Sequence, residues 1–153
     1  MQAVATNLAG RRGDSVLFED VSFTLGRGQA LVVTGPNGAG KSTLLRILAG
    51  LLAADRGRFS LTGDDGADMP VSDYLGHRNA MKRELGVSEN LEFWKQFQKP
   101  ESGTGLSIDA AIDAVGLAGV AHLPFGYLSA GQQRRIALAR LLVSARPLWL
   151  LDE

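Results

Sequence analysis

Residues 35–45 read GPNGAGKSTLL: three glycines within six positions, then a lysine, two hydroxyl residues and two leucines. Glycine placed directly before a helix supplies backbone that can turn sharply and be approached closely. The flanking sequence sets the context. In VSFTLGRGQALVVTG, Val21, Phe23 and Leu25 alternate, Gly26, Arg27 and Gly28 make a turn, and residues 30–33 are apolar. The pattern predicts a half-buried strand, a turn and a fully buried strand. Leu44, Leu45, Ile47, Leu48 and Leu51 then recur at helical spacing, and GRFSLTG puts Phe59 and Leu61 on one face of a further strand. Strand, glycine-rich turn, helix and strand are the start of an α/β unit.

The turn matches the pattern G-x-x-x-x-G-K-[ST] in the strand-to-helix context that the pattern requires. Its glycines let the backbone wrap an anion with inward N–H groups, and the following helix adds the partial positive charge of its N-terminus. Gly35, Pro36, Asn37, Gly38, Ala39, Gly40, Lys41, Ser42 and Thr43 are therefore expected to bind the phosphates of a nucleotide such as ATP. Lys41 reaches the β- and γ-phosphates and Ser42 holds Mg2+.

The chain ends LWLLDE, an apolar strand followed by two carboxylates. Beside a phosphate loop, Asp152 can hold magnesium directly or through water, and Glu153 can orient or deprotonate an attacking water. Before it lies YLSAGQQRRIALARLL, where Leu128, Ser129, Ala130, Gly131 and Gln132 put a small polar cap and a glycine at the start of a second strong helix. Ile136, Ala139 and Val143 make its stripe, and its N-terminus is a second ready anion site. One triphosphate needs no second site within one chain, unless that site serves the nucleotide of another copy.

From about residue 84 the texture is helical. In VSENLEFWKQF, Val87, Leu91, Trp94 and Gln98 align, Phe93 lies beside Phe97, and Ser88 is the candidate N-cap. In SIDAAIDAVG, Ser107 is the cap, Ile108, Ile112 and Val115 form the stripe, and Gly116 is the stop. The intervening residues 99–105 read as a loop, and most of the aromatic stripe reads as core with about one residue in three exposed.

A length of 153 residues suits one domain, here with two lobes. Sixteen Lys and Arg balance sixteen Asp and Glu, which argues against a general nucleic-acid binder. With no cysteine, disulfides, thiolate catalysis and Cys-ligated metals are excluded. The longest apolar stretch, residues 44–54, is interrupted by Arg46 and is shorter than the roughly 20 residues of a membrane span. No secretory signal opens the chain, so a cytosolic location is expected, with any membrane role supplied through a partner.

Phosphate loop, LSAGQ and LWLLDE, in that order and with a helical region between, make nearly the whole chain resemble the nucleotide-binding subunits of ATP-binding cassette (ABC) transporters. The resemblance implies an α/β fold of the P-loop NTPase kind. It has a RecA-like core (about residues 1–76 and 126–153), N-terminal antiparallel strands and a small helical lobe (about 77–125). It implies ATP hydrolysis with Mg2+ in a head-to-tail homodimer, in which Ser129 and Gly131 contact the γ-phosphate bound by the other copy. The stretches TGPNGAGKSTLLRILAGLL, YLGH, ENLEFW and RPLWLLDE are similar to the ATPase subunits of the haem exporters of bacterial cytochrome c maturation. That implies integral membrane permease subunits as partners, received on the helical lobe, and a peripheral place on the cytoplasmic face of the inner membrane.

Two departures from the general family pattern carry further expectations. His77 stands where most cassettes have a glutamine that touches magnesium and the attacking water, which fits the haem-exporter group and implies a catalytic role; His122 is read as structural. Arg12 stands where an aromatic usually stacks on adenine, and a guanidinium plane can also stack on a base. Family members continue past the position of Glu153 with a loop, a strand and a switch histidine, so the resemblance implies a domain incomplete at its C-terminus, with weak MgATP binding and no turnover. Two other readings stand beside transport: a soluble cassette ATPase, and a nucleotide-binding module without turnover.

Overall fold

The structure, a computed structural model, describes residues 1–62, 72–98 and 104–152. Glu153 and residues 99–103 of the expected loop lie outside the described residues. Contacts group the chain into two compact units, one of Met1–Tyr74 with Leu150–Asp152 and one of Leu75–Trp149.

In the first unit β1 (Gln2–Arg12) pairs antiparallel with both β2 (Ser15–Gly26) and β3 (Arg56–Thr62), giving the order β2-β1-β3. The expected N-terminal antiparallel strands are thus present. The central strand buries small residues, Ala3, Ala5 and Ala9, around Leu8. Helix α1 (Lys41–Leu48) buries Thr43 with Leu44, Ile47 and Leu48 of the leucine pattern, and leaves Leu45 half-buried. The β1 register slips between Ala5 and Leu8, where Asn7 takes a left-handed φ of 49°. The Ser22 hydroxyl accepts from Asn7 N at 2.8 Å and donates to Asn7 Oδ1 at 3.0 Å, which satisfies polar groups at the bulge.

Helix α1 stops three residues before the apolar pattern does. Gly50 has φ 70°, Gly50 N–H donates to Ile47 O and Leu51 N–H to Arg46 O, the paired bonds that close a helix with a left-handed glycine. Leu51 is accordingly outside the helix and exposed.

Residues 30–33 are the larger correction. They form no strand, and Leu31 and Val32 are 48% and 79% exposed rather than buried. A fully buried strand needs neighbours along its edges. Among the described residues, β1, β2 and β3 pair with one another, and β4 (Ser72–Leu75) pairs with β5 (Leu148–Leu151). Residues 30–33 join neither sheet. The chain passes from one unit to the other within β4 and within β5.

The second unit packs α2 (Val87–Gln98), α3 (Ile108–Ala114) and α4 (Ala130–Ser144) around Val87, Leu91, Ile112, Phe125, Ile136 and Val143. Ser107 caps α3, accepting from Ala110 N at 3.2 Å, and Gly116 with φ 70° follows its end. Ser88 is not the cap of α2; the helix already includes Val87, whose apolar side chain is fully buried. The turn before the helix is held instead by Glu89, whose carboxylate accepts from Gly86 N at 2.6 Å.

Buried Asn90 fastens the loop that leads into α2. Its side chain accepts from Lys82 N and donates to the carbonyls of Lys82, Leu85 and Gly86. Helix α4 buries two faces: Ile136, Ala139 and Val143 in the main cluster, and Ala137 and Leu141 in a second one with Leu75. Of the aromatic stripe, Trp94 is half-buried, with its indole N–H bonded to Ala80 O and its ring under the Arg140 guanidinium. Phe93 and Phe97 are exposed and stack on each other, so two of the three rings face solvent, more than expected. No described helix is long and apolar enough to cross a membrane.

Candidate functional site

The glycines of residues 35–40 give the loop a backbone that few other residues could adopt. Gly35, Gly38 and Gly40 all have positive φ, 150°, 86° and 92°, which side-chain-bearing residues rarely adopt. Gly40 is also sterically fixed: a Cβ there would lie 2.9 Å from Leu17 Cβ and 3.0 Å from Phe18 Cδ1. It occupies the N-cap of α1 and offers no side-chain cap to the first-turn N–H groups, which leaves them suited to an external anion. Lys41 curls over the loop, and its ammonium donates to Gly35 O at 2.8 Å and Pro36 O at 3.0 Å.

Ser42, one residue further, donates its hydroxyl proton to Asp152 Oδ1 at 2.8 Å, a bond that spans 110 residues of sequence. The end of β5 is therefore brought to the start of α1, as the pairing of LWLLDE with the phosphate loop predicts. With its proton committed to a carboxylate, the Ser42 oxygen keeps lone pairs for a cation. Magnesium suits such a donor set, because it takes few protein ligands and completes its shell with phosphate and water oxygens. Among the described residues there is no cluster of three or more histidines, carboxylates or thiols that could itself hold a metal.

Sequence reasoning missed Tyr74 and Arg46. Tyr74 donates to the other carboxylate oxygen, Asp152 Oδ2, at 2.7 Å. Arg46, one helical turn after Ser42, is hydrogen-bonded to Tyr74. Burial raises the Tyr74 pKa, the bond to Asp152 raises it further and Arg46 opposes both, so the phenol stays protonated and donating at neutral pH. The hydrogen bond to Tyr74 is also the main cause that raises Arg46. Only the place of Tyr74, as the first residue of YLGH, signalled its position.

Most of the remaining candidates are exposed. Arg12 closes β1, opposite Ser15. His77 and His122 belong to the second unit and both face solvent. The backbone beside His77 is held by Arg134 of α4, whose guanidinium donates to Gly76 O at 2.6 Å. Leu128 is buried, whereas Ser129, Ala130 and Gly131 are exposed at the head of α4. There Ser129 accepts from Gln132 N at 3.3 Å while the Gln132 side chain accepts from Ser129 N at 2.9 Å, a reciprocal cap.

Residues 18–153 match the family described as ABC transporter. The chain belongs to that family. Its ATP-binding proteins bind nucleotide and are ATPases. Among curated proteins, the chain is 59% identical over 157 residues to the cytochrome c biogenesis ATP-binding export protein CcmA of Rhizobium meliloti (strain 1021). The alignment covers all of this chain and 76% of that one. The protein of the same name from Agrobacterium fabrum is 58% identical over 158 residues, with all of this chain and 74% of that protein covered. Among solved structures, an ABC transporter ATP-binding protein from Pyrococcus furiosus superposes with a TM-score of 0.81 at 23% identity, covering 99% of this chain and 75% of the other. At that identity the likeness shows the fold, the ABC ATPase form of the P-loop fold.

Proposed function

We propose that this ABC protein is the ATP-hydrolysing subunit of a haem exporter serving cytochrome c biogenesis. What supports the reading most is the Ser42–Asp152 bond, which joins the phosphate loop to the carboxylate strand across the sequence, in a chain 59% identical to a protein named as a cytochrome c biogenesis ATP-binding export protein.

In this reading residues 35–43 bind the triphosphate, with backbone N–H groups and Lys41 as anion partners. Ser42 and Asp152 hold magnesium. The bound ion supplies neutralisation of the charge that develops on the transferred phosphoryl oxygens. Glu153 orients or deprotonates the attacking water, His77 contributes from its loop, and Arg12 stacks on the base. Two copies pair head to tail, and Leu128, Ser129, Ala130, Gly131 and Gln132 of each meet the nucleotide held by the other. Integral membrane permease subunits dock on the helical unit, to which the exposed Phe93 and Phe97 lend apolar surface, with the protein peripheral on the cytoplasmic face of the inner membrane. A core of about residues 1–76 and 126–153 and a helical lobe of about residues 77–125 make up the nucleotide-binding domain.

The test separates binding from turnover. Lys41→Ala is expected to weaken ATP binding about tenfold to a hundredfold, the worth of charged hydrogen bonds to phosphate. Glu153→Gln is expected to bind ATP as the parent does and to lose hydrolysis. Equilibrium dialysis and phosphate release, with the permease subunits co-expressed, read the two outcomes. Parental turnover by Glu153→Gln would remove Glu153 from the mechanism, and failure of the permease subunits to copurify would turn the reading toward a soluble cassette ATPase.

A further inference from the structure

Both oxygens of Asp152 accept a hydroxyl proton, Oδ1 from Ser42 at 2.8 Å and Oδ2 from Tyr74 at 2.7 Å. The terminal torsion of a carboxylate is soft, so one bond leaves it free to swing. Bonds to different oxygens from two elements, α1 and β4, fix its plane. Of these donors Ser42 belongs to the phosphate loop, and Tyr74 lies outside it on β4.

Arg46 sets the sense of the second bond. A phenol both donates and accepts, and the Arg46 guanidinium can only donate. The Tyr74 proton goes to Asp152 Oδ2 at 2.7 Å, which leaves the phenol oxygen as the atom that the Arg46 guanidinium can approach. Arg46 and Ser42 lie four residues apart on α1, one above the other on the same face. The helix thus holds Asp152 twice, directly through Ser42 and indirectly through Arg46 and Tyr74.

We propose that Tyr74 is the positioning residue of the magnesium site: its phenol, oriented by Arg46, pins Oδ2 of Asp152 and so aims the carboxylate at the cation. The inference rests on the reading that Ser42 and Asp152 hold magnesium with the nucleotide. Outer partners that orient metal-binding side chains typically contribute one to two orders of magnitude in metal affinity. Magnesium is demanding of such alignment, because it tolerates little departure from octahedral geometry.

Tyr74→Phe removes the hydroxyl and keeps the ring. In the whole protein, equilibrium ATP binding is measured across a titration of free Mg2+ and again in EDTA. The half-saturating Mg2+ concentration is expected to rise about tenfold in Tyr74→Phe, with ATP affinity in EDTA unchanged. Arg46→Gln, a change on an exposed side chain, is expected to shift it less and in the same direction, and it carries the test if Tyr74→Phe does not fold. Asp152→Asn is the reference and is expected to shift it most. A normal Mg2+ requirement in Tyr74→Phe, with Asp152→Asn shifted, overturns the role of Tyr74 and leaves the magnesium reading standing. No shift in either variant overturns both. Equal weakening with and without Mg2+ in Tyr74→Phe also overturns it, since that marks a general structural role.

Discussion

Gly40 carries two demands at once, one from backbone conformation and one from packing. Its φ of 92° is unfavourable for any residue with a Cβ, and the space a methyl would fill is taken by Leu17 Cβ at 2.9 Å. Leu17 cannot yield at that atom without moving β2 itself. Gly40→Ala is therefore expected to destabilise the fold by about 1–3 kcal/mol, with the midpoint of urea unfolding as the measurement. The same variant displaces the first N–H groups of α1, so ATP affinity is expected to fall with it; unaltered stability would mean that the loop tolerates the methyl by shifting as a whole. The demand on Gly40 was legible because the phosphate-loop pattern names that position. Tyr74 was not legible, although it sits as close to Asp152 as Ser42 does. Its bond joins residues 78 apart in sequence, and neither periodicity nor turn chemistry carries information about such a pair. Asp152 itself was found because its strand ends in acidic residues, a local signal.

At the scale of elements, what the sequence could announce was whatever is satisfied within one turn. Ser107 and Ser129 were readable as caps because their partners lie three residues away, and Gly116 as a stop because only left-handed backbone is needed there. Residues 30–33 failed as a strand for the opposite reason: strand formation depends on neighbours that the run itself does not contain. The second buried face of α4 was likewise hidden, because alanines at 137 and 139 look alike in a helical pattern and only packing separates their clusters. Ser88 misled because a serine near a helix start is a common cap, whereas here Asn90 and Glu89 organise the entry. Asn90 offers a direct measurement. It is 3% exposed and answers one backbone N–H and three carbonyls of residues 82–86. Asn90→Ala leaves those groups without partners inside the fold, and is expected to cost about 1–3 kcal/mol. Hydrogen exchange of the Lys82 amide is expected to accelerate by more than the global destabilisation explains. An equal change at all amides would show that the loop and α2 unfold only with the whole protein.

At the scale of the whole molecule, the phosphate loop and the head of α4 are two separate candidate anion sites. The loop's N–H groups, Lys41 and Ser42 belong to the first unit with Asp152, while Ser129 and Gly131 belong to the second. Each has its own helix N-terminus and its own local stabilisation: left-handed glycines for one, a reciprocal serine–glutamine cap for the other. Two such sites with one triphosphate per chain are economically used if each nucleotide is shared between copies. That arrangement makes the defects of the two sites complementary. A Lys41→Ala copy has an impaired phosphate loop and a sound α4 head; a Ser129→Arg copy has the reverse, since the bulky cation replaces the small cap where a partner's phosphate would approach. Each variant alone is expected to lose nearly all turnover. In a head-to-tail pair of one copy of each, both defects fall on the same composite site and the other site is intact. Coexpressed with different tags and purified through both, the mixed pair is expected to recover about half of the parental rate if the sites act independently, and less if hydrolysis needs both filled. Circular dichroism of Ser129→Arg alone guards against simple loss of the cap, which costs about 1 kcal/mol. Mixed pairs that form, bind one ATP and never hydrolyse it would show that Ser129 acts on the nucleotide of its own chain or not at all.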